Sequence, residues 1–231
     1  MEFTLLGAVA VAVVTFGVTL WFEAGRTNPA GSSRRLGDAA LAAALSGLLA
    51  GRLAAMVAGG NDPLAHPADI VVVRAGVDTG FAALAALAVL ALYARHNLWR
   101  TLDCLAPAAL AGLAAWHLSG LFRGAWLGTS SSLPWAVAQE GSTVTRHPVE
   151  VYAALGLLLG ALALHLWKRR TPLPGIVGAA ALVVASGVRL GTEPLRLGLG
   201  SGPDWWYAAG AALGMLLLGW RLTRPQSKPS T

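Results

Sequence analysis

The sequence predicts an all-α polytopic membrane protein with about seven transmembrane helices. Three observations carry that reading. Of 231 residues, 55% are hydrophobic and 12% are charged, against roughly a quarter charged in a soluble domain. The charges are bunched into short clusters that separate long apolar runs. Each run approaches the length of about 20 residues that a helix needs to cross the hydrocarbon core of a bilayer. Together these exclude an ordinary soluble enzyme. A net charge of +6 and a pI near 10.4 would suit nucleic acid, but the Lys and Arg residues sit in connections between apolar runs, where membrane topology explains them. No nucleic-acid partner is expected. The single cysteine, Cys104, lies in an apolar stretch, which leaves no disulfide framework and no Cys-based metal site. The 28 glycines and 12 prolines are many for a soluble helical protein but are tolerated in membrane helices. Residues 1–224 read as one transmembrane domain and residues 225–231 as a disordered tail.

The first span, 3–22, is uncharged and has no basic segment before it, so a retained helix is expected rather than a cleaved signal peptide. The second, 37–59, holds one charge at depth, Arg52. The third covers 80–93, the fourth 102–122, the fifth 151–167, the sixth 175–190 and the seventh 205–220. Three GxxxG pairs, Gly47 with Gly51, Gly156 with Gly160 and Gly210 with Gly214, suit close helix packing. No internal repeat is evident.

The connections after spans one, three, five and seven hold 11 of the 17 basic residues: Arg26, Arg34, Arg35, Arg95, Arg100, Lys168, Arg169, Arg170, Arg221, Arg224 and Lys228. The other connections hold only Arg74, Arg123, Arg146, Arg189 and Arg196. That bias puts the N-terminus outside and the C-terminus in the cytoplasm. Trp21, Trp99, Trp167 and Trp220 then mark the inner interface, and Trp126, Trp135, Trp205 and Trp206 the outer one.

On this topology the external segments 123–150 and 191–204 carry most of the polar residues that a plain helix bundle would not need. Arg189, Glu193 and Arg196, spaced four and three apart, would share one helical face, with Pro194 kinking the helix there. Two arginines flanking a glutamate can clamp a lipid phosphate, because guanidinium is a planar fork matched to phosphate oxygens; the same trio also suits a plain ion-pair cluster at the headgroups. Arg52, buried in an apolar run, is a functional residue or else a partner for Asp103 or Asp38. His117, near the outer end of the fourth span, is a general-base candidate or a hydrogen-bonded helix–helix contact. His147 and Glu150 have H-x-x-E metal spacing, but Pro148 favours a helix start and no third ligand is evident, so no metal is implied.

The segment Arg146-His147-Pro148-Val149-Glu150-Val151-Tyr152 resembles the His-Pro-x-Gln-Leu-Tyr signature of the bacterial prolipoprotein diacylglyceryl transferases. Ala50-Gly51-Arg52-Leu53 resembles that family's Gly-Ala-Arg-Leu, and Leu102-Asp103-Cys104-Leu105-Ala106-Pro107 its Asp-x-x-Ala-Pro. Leu133-Pro134-Trp135-Ala136-Val137 is similar to a stretch before the His-Pro motif. Arg189, Glu193 and Arg196 fit its Arg-x-x-x-Glu-x-x-Arg. The family also has seven helices and an external N-terminus. The resemblance covers nearly the whole chain, and the departures fall in the acid–base motifs. Where the family has His-Gly-Gly, this chain reads Asp78-Thr79-Gly80. Its Gly-Arg-x-Gly-Asn-Phe falls on Trp116-His117-Leu118-Ser119-Gly120-Leu121. Of Asn-Gly-Glu-x-x-Gly, Gly124 and Gly128 remain, while Arg123 and Ala125 replace the polar pair. The tyrosine expected four residues before Arg189 is Ala185, and the one in the first span is Leu6.

The resemblance implies transfer of a diacylglyceryl group from phosphatidylglycerol to the cysteine thiol of a preprolipoprotein, at the bacterial inner membrane by a multi-pass enzyme. Its partners would be phosphatidylglycerol, the preprolipoprotein signal segment and membrane lipid; no metal or organic cofactor is implied. Thiol chemistry of this kind needs a base, and the departing glycerol phosphate needs cations. Arg189, Arg196 and Arg52 would bind the phospholipid, with Glu193 orienting the arginines. His117, with His147, replaces the missing base, and Asp103, Gly128 and Tyr152 support the site. The alternative is a non-catalytic relative that binds phospholipid or a lipoprotein signal. A small-solute transporter has little support, since no paired broken helices occur in two halves. The topology is tested by fusion: a reporter active only outside is expected to work after Gly128 and to fail after Arg170 or at the C-terminus, and the opposite pattern reverses the sidedness.

Overall fold

In the computed structural model the described residues are 2–26, 33–71, 76–122, 128–138, 141–170, 173–197 and 204–223. The expected tail, with Arg74, Arg123, Gly124, Ala125 and Trp126, lies outside them. Each apolar run of the sequence forms a helix: α1 (Glu2–Arg26), α2 (Ser33–Ala58), α4 (Thr79–Tyr93), α5 (Leu98–Phe122), α6 (Val149–Lys168), α7 (Ile176–Thr192) and α8 (Asp204–Thr223), with a single-turn α3 (Ala68–Val71) between α2 and α4. Among the described residues four helical stretches are long and apolar enough to cross a membrane: Arg35–Ala58, Leu98–Gly120, Val149–Lys168 and Ile176–Leu195. Gly7–Glu23 and Gly80–Tyr93 are shorter apolar helices. Large apolar side chains lie on the open faces, among them Val13, Leu48, Leu84, Leu159 and Leu216. Water would penalise such a surface and lipid would not.

The chain falls into two compact units, residues 29–101 and residues 1–28 with 102–231. In the first, α2 packs on α4 through its GxxxG pair. A Cβ on Gly47 would stand 2.8 Å from the carbonyl oxygen of Ala82, and one on Gly51 2.6 Å from that of Asp78. Helix α4 starts where the Asp78 carboxylate accepts the amide of Phe81 at 2.9 Å, an ordinary N-cap. Arg52, 2% exposed, spends its guanidinium on main-chain oxygens. Nε and Nη2 donate to the Asp69 carbonyl at 3.0 and 2.6 Å, and Nη1 to the Gly76 carbonyl at 2.9 Å. These bonds tie Arg52 to the main chain of the connection between α2 and α4.

In the larger unit, α7 lies against α6 and α8 around Leu110, Leu157, Leu164, Val177 and several alanines. Both remaining GxxxG pairs face α7: Gly156 and Gly160 meet Val188 and Val184, and Gly210 and Gly214 meet Ser186 and Val183. Small residues let the backbones approach where apolar side chains have no solvent to flee. Pro107 lies inside α5 and is fully buried, tolerated because neighbouring helices can satisfy the freed backbone groups. Helix α7 starts at Gly175, whose φ of 95° suits glycine. The Asp103 carboxylate accepts the amides of Gly175 at 2.6 Å and Gly178 at 2.7 Å, capping α7 from α5. At one end of α1, the buried Glu23 pairs with His165, and with Lys168 Nζ at 2.9 Å, tying α1 to α6.

Asp103→Ala removes both charge-assisted bonds from the start of α7, each worth about 2 kcal/mol. A clear fall in the thermal unfolding midpoint of the detergent-solubilised protein is expected; an unchanged midpoint refutes the capping role.

Candidate active site

An extended stretch, residues 128–131, organises the polar residues of the larger unit. Gly128 bridges Arg196 in antiparallel fashion, and Ser130 bridges Arg146. The amide of Thr129 donates to the Leu195 carbonyl at 2.8 Å, while its own carbonyl accepts the His147 amide at 3.0 Å. A two-residue ladder, β1 (Val137–Ala138) with β2 (Thr145–Arg146), extends this layer. The result fixes the backbone of Arg196 on one side and of His147 on the other. Only glycine fits at position 128, because a Cβ there would overlap the His147 carbonyl and crowd Val149.

Sequence spacing put Arg189, Glu193 and Arg196 on one helix face. The structure departs from this at Pro194. Helix α7 ends at Thr192, Glu193–Leu195 form a 3-10 turn, and Arg196 is extended with ψ of 149°. Proline cannot donate to the helical ladder, so the chain tightens and leaves it. The three side chains still meet. Glu193 Oε2 lies 3.3 Å from Arg189 Nη2 and 3.7 Å from Arg196 Nε. Arg189 also donates to the Tyr207 hydroxyl at 2.9 Å and stacks over its ring.

Glu150 joins this trio to a histidine. It sits in the first turn of α6 with 3% of its side chain exposed, a position where the helix dipole favours an anion. Its Oε1 lies 3.0 Å from Arg196 Nη2 and its Oε2 2.7 Å from His117 Nδ1. Space for the carboxylate exists because residue 120 is glycine: a Cβ there would stand 3.2 Å from Oε2. Burial first, and then the Arg189 charge, pull the Arg196 guanidinium below the usual arginine range, while Glu150 and Glu193 draw it back. Arginine stays cationic in such surroundings.

His117, Arg189, Glu193 and Arg196 are therefore brought together as one network. His147 stands apart from its charges: its Nδ1 lies 3.4 Å from the Tyr152 hydroxyl, which accepts the Trp135 indole N–H at 2.7 Å. Asp103 caps α7, and Arg52 belongs to the other compact unit. The reading from sequence paired Glu150 with His147 and missed its place between His117 and Arg196; it missed Tyr207 altogether. A signal for Glu150 existed, since an acidic residue opening an apolar run needs a counter-charge, but spacing drew attention to His147 instead.

The fold and site define a helical membrane protein with a buried imidazole–carboxylate–guanidinium network. The prolipoprotein diacylglyceryl transferase family model matches residues 3–222, and the chain belongs to that family. The phosphatidylglycerol–prolipoprotein diacylglyceryl transferase of Paracidovorax citrulli (strain AAC00-1) is 33% identical over 182 residues, which cover 70% of this chain and 67% of the relative. The protein of that name from Rhizobium meliloti (strain 1021) is 32% identical over 152 residues, covering 59% and 54%. That of Chlamydia muridarum (strain MoPn / Nigg) is 28% identical over 157 residues, covering 62% and 57%. The aligned part amounts to between half and two thirds of the length of these curated relatives.

Gly128→Ala is expected to push His147 and Val149 away from the extended stretch and to lower stability by about 1–3 kcal/mol, the usual range for overpacking. Unfolding in detergent measures it; a variant as stable as the parent removes the close-approach argument.

Proposed function

We propose that this protein transfers a diacylglyceryl group from phosphatidylglycerol to the cysteine thiol of a preprolipoprotein. The observation that carries the reading is the meeting of Arg189 and Arg196 through Glu193, beside His117, in a chain of the transferase family. His117 takes the thiol proton. The thiolate attacks the glyceryl carbon that bears the phosphate ester, the C–O bond breaks, and glycerol phosphate departs with its charge met by Arg189 and Arg196. His147, Tyr152 and Gly128 shape the neighbouring surface, and Asp103 holds α7 in place. The enzyme is a seven-span protein of the bacterial inner membrane, with the N-terminus and the site outside and the preprolipoprotein signal segment presented from the membrane.

One observation favours a second reading, a non-catalytic relative that binds phospholipid or a lipoprotein signal. Where the family resemblance places a histidine, Asp78 caps α4, which is a structural task. Complementation separates the two. In a strain depleted of its own transferase, the unmodified protein is expected to restore lipoprotein lipidation, His117→Gln to abolish it and His117→Arg to leave it incomplete. Failure of the well-expressed unmodified protein overturns the catalytic reading. Replacing Arg189 or Arg196 with Ala should weaken retention of anionic phospholipid by about 2 kcal/mol; unchanged retention in both variants leaves them as interface anchors.

A further inference from the structure

We propose that Glu150 is a positioning residue that fixes the tautomer of His117, holding the ring proton on Nδ1 so that Nε2 is the atom that takes the thiol proton. The inference rests on the transferase reading for its consequence but on geometry for its content. Glu150 is buried, and both of its oxygens are engaged, Oε1 by Arg196 at 3.0 Å and Oε2 by His117 Nδ1 at 2.7 Å. A carboxylate held against a guanidinium is ionised, and an ionised carboxylate only accepts hydrogen bonds. The imidazole nitrogen that faces it must therefore carry hydrogen. In the neutral ring the other nitrogen, Nε2, is then left with its lone pair as a proton acceptor.

Three elements keep that geometry from relaxing. The first turn of α6 supplies the carboxylate, α5 the imidazole, and the extended residue after the 3-10 turn the guanidinium. The ion pair between Arg196 and Oε1 restrains the carboxylate from turning a different edge to His117. Gly120 leaves the room in which it sits. Among the described residues the second histidine has no equivalent: there His147 Nδ1 meets a hydroxyl at 3.4 Å, too long to select a tautomer firmly. This difference, invisible in a list of histidines, singles out His117 as the base.

The proton balance closes. The thiol S–H proton moves to Nε2, the imidazolium so formed is balanced by the Glu150 carboxylate, and after C–O cleavage the proton passes from Nε2 to the departing glycerol phosphate. Glu150 keeps its charge throughout and touches no reacting atom.

The test uses the full chain with nitrogen-15-labelled histidine in phosphatidylglycerol nanodiscs, with His117 assigned by its loss in His117→Gln. Long-range proton–nitrogen spectra of the unmodified protein are expected to show His117 protonated at Nδ1 alone, and Glu150→Gln to show a mixture of tautomers. In transfer assays with a cysteine-bearing signal peptide, Glu150→Gln is expected to lower kcat about 100-fold, the lower end of general-base contributions, without changing KM for the peptide. Glu150→Asp should recover part of that loss. His117 protonated at Nε2 in the unmodified protein, or full kcat in Glu150→Gln, overturns the proposal while leaving the transferase reading intact. Should the unmodified protein transfer nothing, the transferase reading fails, and the His117 tautomer still decides for or against the positioning role of Glu150.

Discussion

A buried carboxylate that must be neutralised governs the architecture of the larger unit. Glu150 lies at the start of an apolar helix, in surroundings where an isolated anion would be prohibitively costly. It is retained because a cation and an imidazole converge on it from chain segments 46 and 33 positions away in sequence. That convergence dictates much else. Position 120 has to be small, the chain has to leave α7 before Arg196, and residues 128–131 have to run between Arg196 and His147. Removing any of these would leave a charge buried without its partner, so the network is a condition of the fold as well as of the chemistry.

A second organising rule, followed in each unit by itself, is the use of main-chain groups to satisfy charged side chains among apolar helices. Asp103 takes the free amides at the start of α7, and Arg52 takes carbonyls of the connection after α2. Helix ends and turns always present such unpaired groups. In an apolar solvent, pairing them with a side-chain charge meets two needs at once. Glu23 with His165 and Lys168 follows the other route, side chain to side chain, at the opposite end of α6 from Glu150.

Much of this was legible in the sequence, and the misses have a common cause. The apolar runs became helices because in lipid the backbone has few other ways to pair its polar groups. The GxxxG pairs did mark helix contacts, since glycine spacing reports a local face. The triad of Arg189, Glu193 and Arg196 was visible as a cluster, but its helical arrangement was not, because Pro194 ends the periodicity that made the spacing meaningful. The main-chain contacts of Arg52 were not legible, because backbone oxygens leave no trace in composition. Glu150 was read with His147, three residues away, although its partners come from other helices. Tyr207 carried no local signal at all. Short-range patterns describe a residue's own helix; they do not report what the tertiary fold sets against it.

The grip of Arg52 on the carbonyls of Asp69 and Gly76 has a consequence for how this region can evolve. Main-chain oxygens exist whatever the side chains are, so a mutation at position 69 need not disturb the contact, whereas position 76, with φ of 76°, is held to glycine by its backbone. The arginine has no such latitude. A lysine offers one compact charge where the guanidinium offers a planar fork that reaches two carbonyls at once. The described part of the connection between α2 and α4 can therefore drift in sequence outside Gly76, with the constraint lodged in that glycine and in a single residue of the preceding helix.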